Sequence, residues 1–277
     1  MSIVVLFCCS AHLFCFSEGR EIVEYVAAQE RCVKQGPLLN LGFEKLTLDK
    51  RFVFRDVTPF FGRTNFNEPN LGSKVILIRP RRWGKSVLGT AWIEYMRGRT
   101  DLFVGTWAQQ NMRNDKLIGV HLDFSRGGDS VGECVEVIMR SINKGLALAE
   151  KVEGYGENAV GRRVAIDPLY LQQKPVPTEW TTADCSALVG ALLEQLGTIA
   201  QDAGRKVAIF VDEYDRPCIQ ALGDASKLGD FNSFFFQGFY TKLKGESTSK
   251  FISFLFVTGS SRLAISGFFS GANDISD

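Results

Sequence analysis

The chain has little of what metal and thiol chemistry needs. Histidine occurs only twice in 277 residues, as His12 and His121, too few imidazoles for a zinc site of the usual Cys/His kind. The seven cysteines, Cys8, Cys9, Cys15, Cys32, Cys134, Cys185 and Cys218, are scattered and odd in number. That is not a disulfide framework. No pair beyond Cys15 has ligand spacing, and the thiols read as small buried hydrophobes. An excess of one charge is missing too: 32 basic residues against 31 acidic ones leave a net of +1. Net charge therefore gives no reason to expect nucleic acid or an anionic membrane as partner. Internal repeats and low-complexity linkers are absent. With 45% hydrophobic and 23% charged residues, the composition excludes disorder, a collagen repeat or a coiled coil as the dominant state. A chain of this length can bury about 75% of its extended surface, enough for one large α/β domain or two small ones.

A long hydrophobic run is also lacking. Residues 2–16 are apolar, but a bilayer-spanning helix needs about 20 residues. A secretory leader has basic residues ahead of its apolar stretch. Here the first basic residue is Arg20, and Cys15 with Ser17 makes a poor cleavage site. An intracellular chain is favoured over one with a cleaved signal peptide. The boundaries expected are 1–39 for this apolar segment and lead-in, and 40–277 for the folded domain. Up to residue 70 the lead-in mixes charges with aromatics, Phe52, Phe54, Phe60, Phe61 and Phe66 flanking turn signals such as Thr58-Pro59.

From Gly72 onward, short apolar runs alternate with helical periodicity. Val75 to Ile78, Leu117 to Phe124, Val207 to Val211 and Phe251 to Val257 read as strands, the continuous apolar ones as strands covered on both faces. Helices are expected over 86–97, 131–151, 182–203 and 230–244, the first with Val87, Leu88, Ala91, Trp92 and Tyr95 on one stripe and the third with Asp184 near its cap. Residues 152–179, rich in Gly and Pro, look like an irregular insertion. The alternation argues for βαβ units and a mostly parallel sheet sandwiched by helices.

Three strand ends carry the chemistry. After the first strand comes Arg79-Pro80-Arg81-Arg82-Trp83-Gly84-Lys85-Ser86, followed by Val87 and a helix. Gly84, Lys85 and Ser86 match the end of the phosphate-loop pattern, with Arg79 where that pattern has its first glycine. Glycine lets successive N–H groups curl around one anion, and a helix N-terminus adds partial positive charge. Lys85 can reach β- and γ-phosphates, and the Ser86 hydroxyl can ligate Mg2+. The second end is Val207 to Glu213, an apolar strand closing on two carboxylates, the Walker B pattern. Asp212 would hold Mg2+ and Glu213 would act as general base toward water. The third end, Val257-Thr258-Gly259-Ser260-Ser261-Arg262, offers Thr258 or Ser260 to orient water and Arg262 to meet a γ-phosphate or a neighbouring subunit. Asp123, His121, Trp83 and the Phe234-Phe235-Phe236 run read as turn-capping, core or packing residues rather than ligands.

These segments, with VDEYDRP at 211–217, in which Tyr214-Asp215-Arg216-Pro217 reads as a turn, and SGAND at 270–274, resemble the AAA-ATPase-like family of P-loop proteins, whose loop typically reads RPRRFGKS and whose second motif, matched from Asp212 through Pro217, is close to IDEYD-x-P. The resemblance covers about residues 40–277. It implies a P-loop NTPase sheet with the Thr258 strand between the phosphate-loop and Walker B strands, and binding and hydrolysis of ATP with Mg2+. Members often carry a PD-(D/E)XK nuclease-like domain after this module. No residues here match that domain, a lid or a distal arginine, so the expectation is the ATPase module alone. The alternative is a non-catalytic, nucleotide-dependent interaction module acting on a protein partner or a nuclease-like domain. A third reading, a nucleic-acid binder using Arg79, Arg81, Arg82, Arg97 and Arg99, has local charge behind it but no support from net charge.

Overall fold

Four short runs rich in β-branched and aromatic residues build the sheet: β1 (Ser73–Ile78), β2 (Ile118–Asp123), β3 (Val207–Asp212) and β4 (Ile252–Gly259). The computed structural model describes residues 43–48, 56–62, 73–81, 83–125 and 130–261. The apolar run 2–16, Arg82, Arg262 and the SGAND segment lie outside the described residues. The strands are all parallel, in the order β1-β4-β3-β2. The strand carrying Thr258 therefore lies between β1 and β3, as the resemblance implies. Every residue of β3 and β4 is buried, which is why both read as unbroken apolar runs rather than alternating ones.

Alternation along the strands sends side chains to two separate cores. On one face Ala208, Phe210, Phe254 and Phe256 pack against α1 (Lys85–Met96). On the other, Val120, Ile209, Val211, Leu255 and Val257 pack with α2 (Val131–Ala149) and α3 (Thr182–Asp202). Asp212 and Thr258 continue the Phe210 and Phe256 rows, so both project on the α1 side of the sheet. Across that face the rings of His121 and Phe210 stack at 4.7 Å, and those of Phe210 and Phe256 lie 5.5 Å apart.

Helix α1 departs from the single stripe expected of it. Leu88, Gly89, Ala91, Trp92, Ile93, Tyr95 and Met96 are all buried, because the lead-in helix Phe43–Leu48 joins the same core on its outer side. Gly89 lets α1 close on the sheet, since a Cβ there would stand 1.9 Å from the Phe210 ring. The C-terminus of α1 is tied down by Arg97, whose Nε and Nη2 donate to the Gly119 carbonyl at 3.1 and 2.9 Å. Helices α2 and α3 start on side-chain caps, Ser130 for the first and a Thr181–Asp184 capping box for the second.

The single helix expected over 230–244 is instead three pieces: α4 (Ala225–Asn232), a π-helical turn (Ser233–Phe239) and a short helix (Tyr240–Lys244). The buried pair Phe234-Phe235 recurs five residues later as Phe239-Tyr240. Five is the spacing of the π-helical hydrogen bond, and the wider turn puts both pairs into one core. Cys134, Cys185 and Cys218 are buried free thiols. No helix among the described residues is long and apolar enough to cross a membrane.

Candidate functional site

In open parallel sheets ligands bind beyond the carboxyl ends of the strands, and the three motif-bearing ends meet there. Register fixes the meeting: Ile78 pairs with Gly259, Leu77 with Thr258, Val211 with Val257, and Asp123 with Asp212. Directly after β1, the Arg79 amide donates to the Gly259 carbonyl at 3.2 Å, carrying the pairing one residue past the strand.

The chain then bends through Arg79–Gly84. Arg79 folds back to donate from Nη1 to the Ile78 carbonyl, and its guanidinium lies 5.9 Å from the Trp83 ring centre. Pro80 and Arg81 are exposed and Trp83 is half-buried. Gly84 sits at φ 78°, ψ 15°, and caps α1 with no side-chain hydrogen bond. Added bulk there would meet open space, so the left-handed backbone, not crowding, demands glycine. An N-terminus without a side-chain cap leaves donor groups for an anion. Ser86 is exposed on the first turn and Val87 half-buried; both carbonyls accept from the Thr90 hydroxyl.

Lys85 is buried, and its Nζ donates to the carbonyls of Arg79 (2.8 Å) and Pro80 (3.0 Å). Burial pulls its pKa below the usual lysine value, with Arg81 adding to the effect, while Asp212, Glu213 and Asp215 act to raise it. The ammonium thus lies in the field of all three carboxylates: the bend after β1 and the acidic tip of β3 face each other.

At that tip, Asp212 is buried and its Oδ1 accepts from the Thr258 hydroxyl at 2.5 Å and the Glu213 amide at 3.0 Å. Glu213 has φ 50°, a left-handed conformation that costs a non-glycine residue about 1–2 kcal/mol. Its carboxyl is pushed above the ordinary glutamate value by burial and then by Asp212, against the opposing pull of Arg81 and Arg216. Arg81 thus acts on both Lys85 and Glu213.

The next two residues, read from sequence as part of a turn, prove to be buried hydrogen-bonding groups. Asp215 Oδ2 accepts from the Ser260 amide (3.0 Å), the Ser260 hydroxyl (3.1 Å) and the Ser261 amide (2.6 Å). The Tyr214 amide donates to the Thr258 carbonyl (3.0 Å) and its hydroxyl to the Ser261 carbonyl (2.9 Å). Gly259 permits this approach, because a Cβ there would be 2.2 Å from the Tyr214 ring. The available signal was composition: two more polar-tipped side chains straight after Asp212-Glu213, and a glycine opposite.

The remaining candidates are peripheral. Asp123 Oδ1 accepts from the Ser125 amide at 2.8 Å, a turn cap. The His121 Nε2 is buried with no hydrogen-bond partner among the described residues, and burial lowers that ring's pKa. A groove of about 880 Å3 opens elsewhere, at the amino ends of β3 and β4, lined among others by Gly197, Lys206, Lys242, Lys250 and Phe251. None of the strand-end residues reaches it. Among the described residues no cluster of three or more His, Cys, Asp or Glu side chains could hold a metal ion by itself.

The sheet order and the flanking helices define a P-loop NTPase-like fold. The chain belongs to the AAA-ATPase-like family, described as Predicted AAA-ATPase, which matches residues 42–269. Membership implies nucleotide binding. No curated protein and no solved structure matches the chain significantly.

Proposed function

We propose that the chain binds ATP with Mg2+ at the facing ends of β1 and β3 and hydrolyses it. The observation that carries this reading is the Lys85 ammonium, seated in the bend and in the field of Asp212, Glu213 and Asp215. In this reading the backbone N–H groups of the later part of the bend and of the first turn of α1, from Gly84 through Val87, cradle the phosphates, with Arg79 and Pro80 shaping the bend around them. Lys85 exchanges two neutral carbonyl acceptors for anionic β- and γ-phosphate oxygens, so that both partners of the bond are charged.

The donors suit Mg2+, a hard cation that prefers oxygen and keeps several waters: an exposed hydroxyl from Ser86 and a carboxylate from Asp212. Bound with the triphosphate, Mg2+ supplies neutralisation of charge on the β- and γ-oxygens. The Thr258 hydroxyl, with its proton on Asp212, fixes that carboxylate's rotamer. Glu213 takes the proton of the attacking water. Its raised pKa makes it a better base than an ordinary glutamate, and its strained backbone fits a side chain held for work rather than for packing. Arg262 follows the anchored Ser261 directly and is assigned to the γ-phosphate or to a neighbouring subunit.

The test is ATP binding and turnover, with and without Mg2+, for the wild type, Lys85→Ala and Glu213→Gln. Weakened binding in the first variant and retained binding with lost turnover in the second are expected. Equal binding by wild type and Lys85→Ala would remove the basis of the reading. Binding without turnover in the wild type would leave a nucleotide-dependent interaction module in place of an ATPase.

A further inference from the structure

Asp215 enters the mechanism above only through its charge on Lys85, yet it is 1% exposed and a single oxygen of its carboxylate gathers three donors. A buried carboxylate is costly to leave unpaired and strong when its acceptor sites are filled. Every donor it gathers comes from the two residues after β4. Tyr214 holds the same stretch from the other side, through the Thr258 and Ser261 carbonyls. The exit of β4 is therefore bound to the exit of β3 by bonds outside the sheet ladder. The described ladder between β3 and β4 ends at the Val211–Val257 pair, short of this exit.

We infer that Asp215 is a positioning residue: its carboxylate latches Ser260 and Ser261 onto the β3 exit. The latch keeps Thr258 in register with Asp212 and Glu213. The inference rests on the ATPase reading and adds a residue to it. Asp215 acts through the β4 exit and need not touch nucleotide. Removing it leaves the Lys85 hydrogen bonds of the bend in place and takes one negative charge from the field of that lysine, so affinity for an anionic nucleotide should not fall appreciably, while the water-activating groups lose alignment with the γ-phosphate. Misplacement by about 1 Å can cost about 100-fold in rate.

The experiment measures ATP affinity and single-turnover hydrolysis in the full chain for wild type, Asp215→Ala and Asp215→Asn, with thermal melting as the check on folding. The expected result for Asp215→Ala is a rate lowered by about 10- to 100-fold with affinity changed by less than about 3-fold. Asp215→Asn, whose amide oxygen can still accept from the two backbone amides, should recover part of the rate. If Asp215→Ala does not fold, Asp215→Asn carries the test, with a lowered rate at unchanged affinity expected. A merely structural role predicts rate and affinity falling together with the folded fraction, and that result overturns the inference. So does a wild-type rate in a folded variant. No turnover in the wild type would instead overturn the reading beneath it.

Discussion

Two strand exits face each other across the carboxyl end of the sheet, and they are held by different means. After β1 the bend at 79–84 is shaped by main-chain groups: a left-handed glycine, an amide on the Gly259 carbonyl, and two carbonyls whose partner is the Lys85 ammonium. After β3 and β4 the holding is done by buried side chains, with Thr258 on Asp212, Asp215 on Ser260 and Ser261, and Tyr214 on Ser261. Main-chain partners of a lysine can be exchanged for a ligand's oxygens at small net cost, whereas buried carboxylates stripped of their donors are expensive. One side of the site is thus built to give and the other to stay fixed.

The largest test of that contrast is Glu213→Gln. If Glu213 acts as the proposed general base, its removal should lower turnover by about 10²- to 10⁴-fold, read in single-turnover assays. The stability effect has the opposite sign. A carboxyl whose folded pKa is raised contributes its full stability at pH below its ordinary value, and this is lost as pH rises through the folded pKa. At pH 7 the glutamine variant should melt no lower than wild type, and a clear drop in melting temperature would contradict the assigned shift. The acid limb of the wild-type pH–rate profile should likewise lie above the ordinary glutamate range.

Lys85→Ala works on the yielding side. Loss of one charge-assisted contact is worth about 1.5–3 kcal/mol, or about 10- to 100-fold in ATP affinity. Chemical denaturation should show little loss of stability, because the lysine itself carries a burial penalty. Thr258→Val works on the fixed side. It keeps the shape and strips a donor from buried Asp212, so the urea midpoint should fall by an amount equivalent to about 1–3 kcal/mol. If the lysine variant proves the less stable of the two, the contrast is reversed.

The smallest effect is a control remote from both exits. Asp184, at the start of α3, is lowered to about 2 by Lys174 first and then by Thr181. Its contribution is complete above the ordinary aspartate value of 3.8 and is lost as pH falls through about 2. Amide protection at the first turn of α3, taken relative to the intrinsic exchange rate at each pH, should fall over that window in wild type and stay level in Asp184→Asn. No matching change is expected at the strand exits from this cause.

Much of this was legible in the residues. The four strands fell where the apolar runs are, and α1 begins one residue before its expected start, at Lys85. Gly84-Lys85-Ser86 and Asp212-Glu213 announced themselves because their chemistry depends on neighbours in sequence: a bend, then a helix start, and a strand, then carboxylates. Tyr214 and Asp215 were legible as part of the IDEYD-x-P match but not in their role, because their partners lie about 45 residues away in the chain. The helix over 230–244 failed as one piece for a related reason. A period of five is set by the core that receives Phe239 and Tyr240, and propensity does not contain it.

What the sequence determined by itself is local: which segments are strands, where a helix must begin on a bare N-terminus, and which ends carry cation or carboxylate. The tertiary structure decided what meets what. It set β4 between β1 and β3, pressed α1 onto Phe210 through the missing side chain of Gly89, and turned Asp215 from a turn residue into the anchor of a neighbouring strand's exit. Short-range backbone preference is written one residue at a time. A buried hydrogen bond between strands exists only once the sheet has brought both partners out of water.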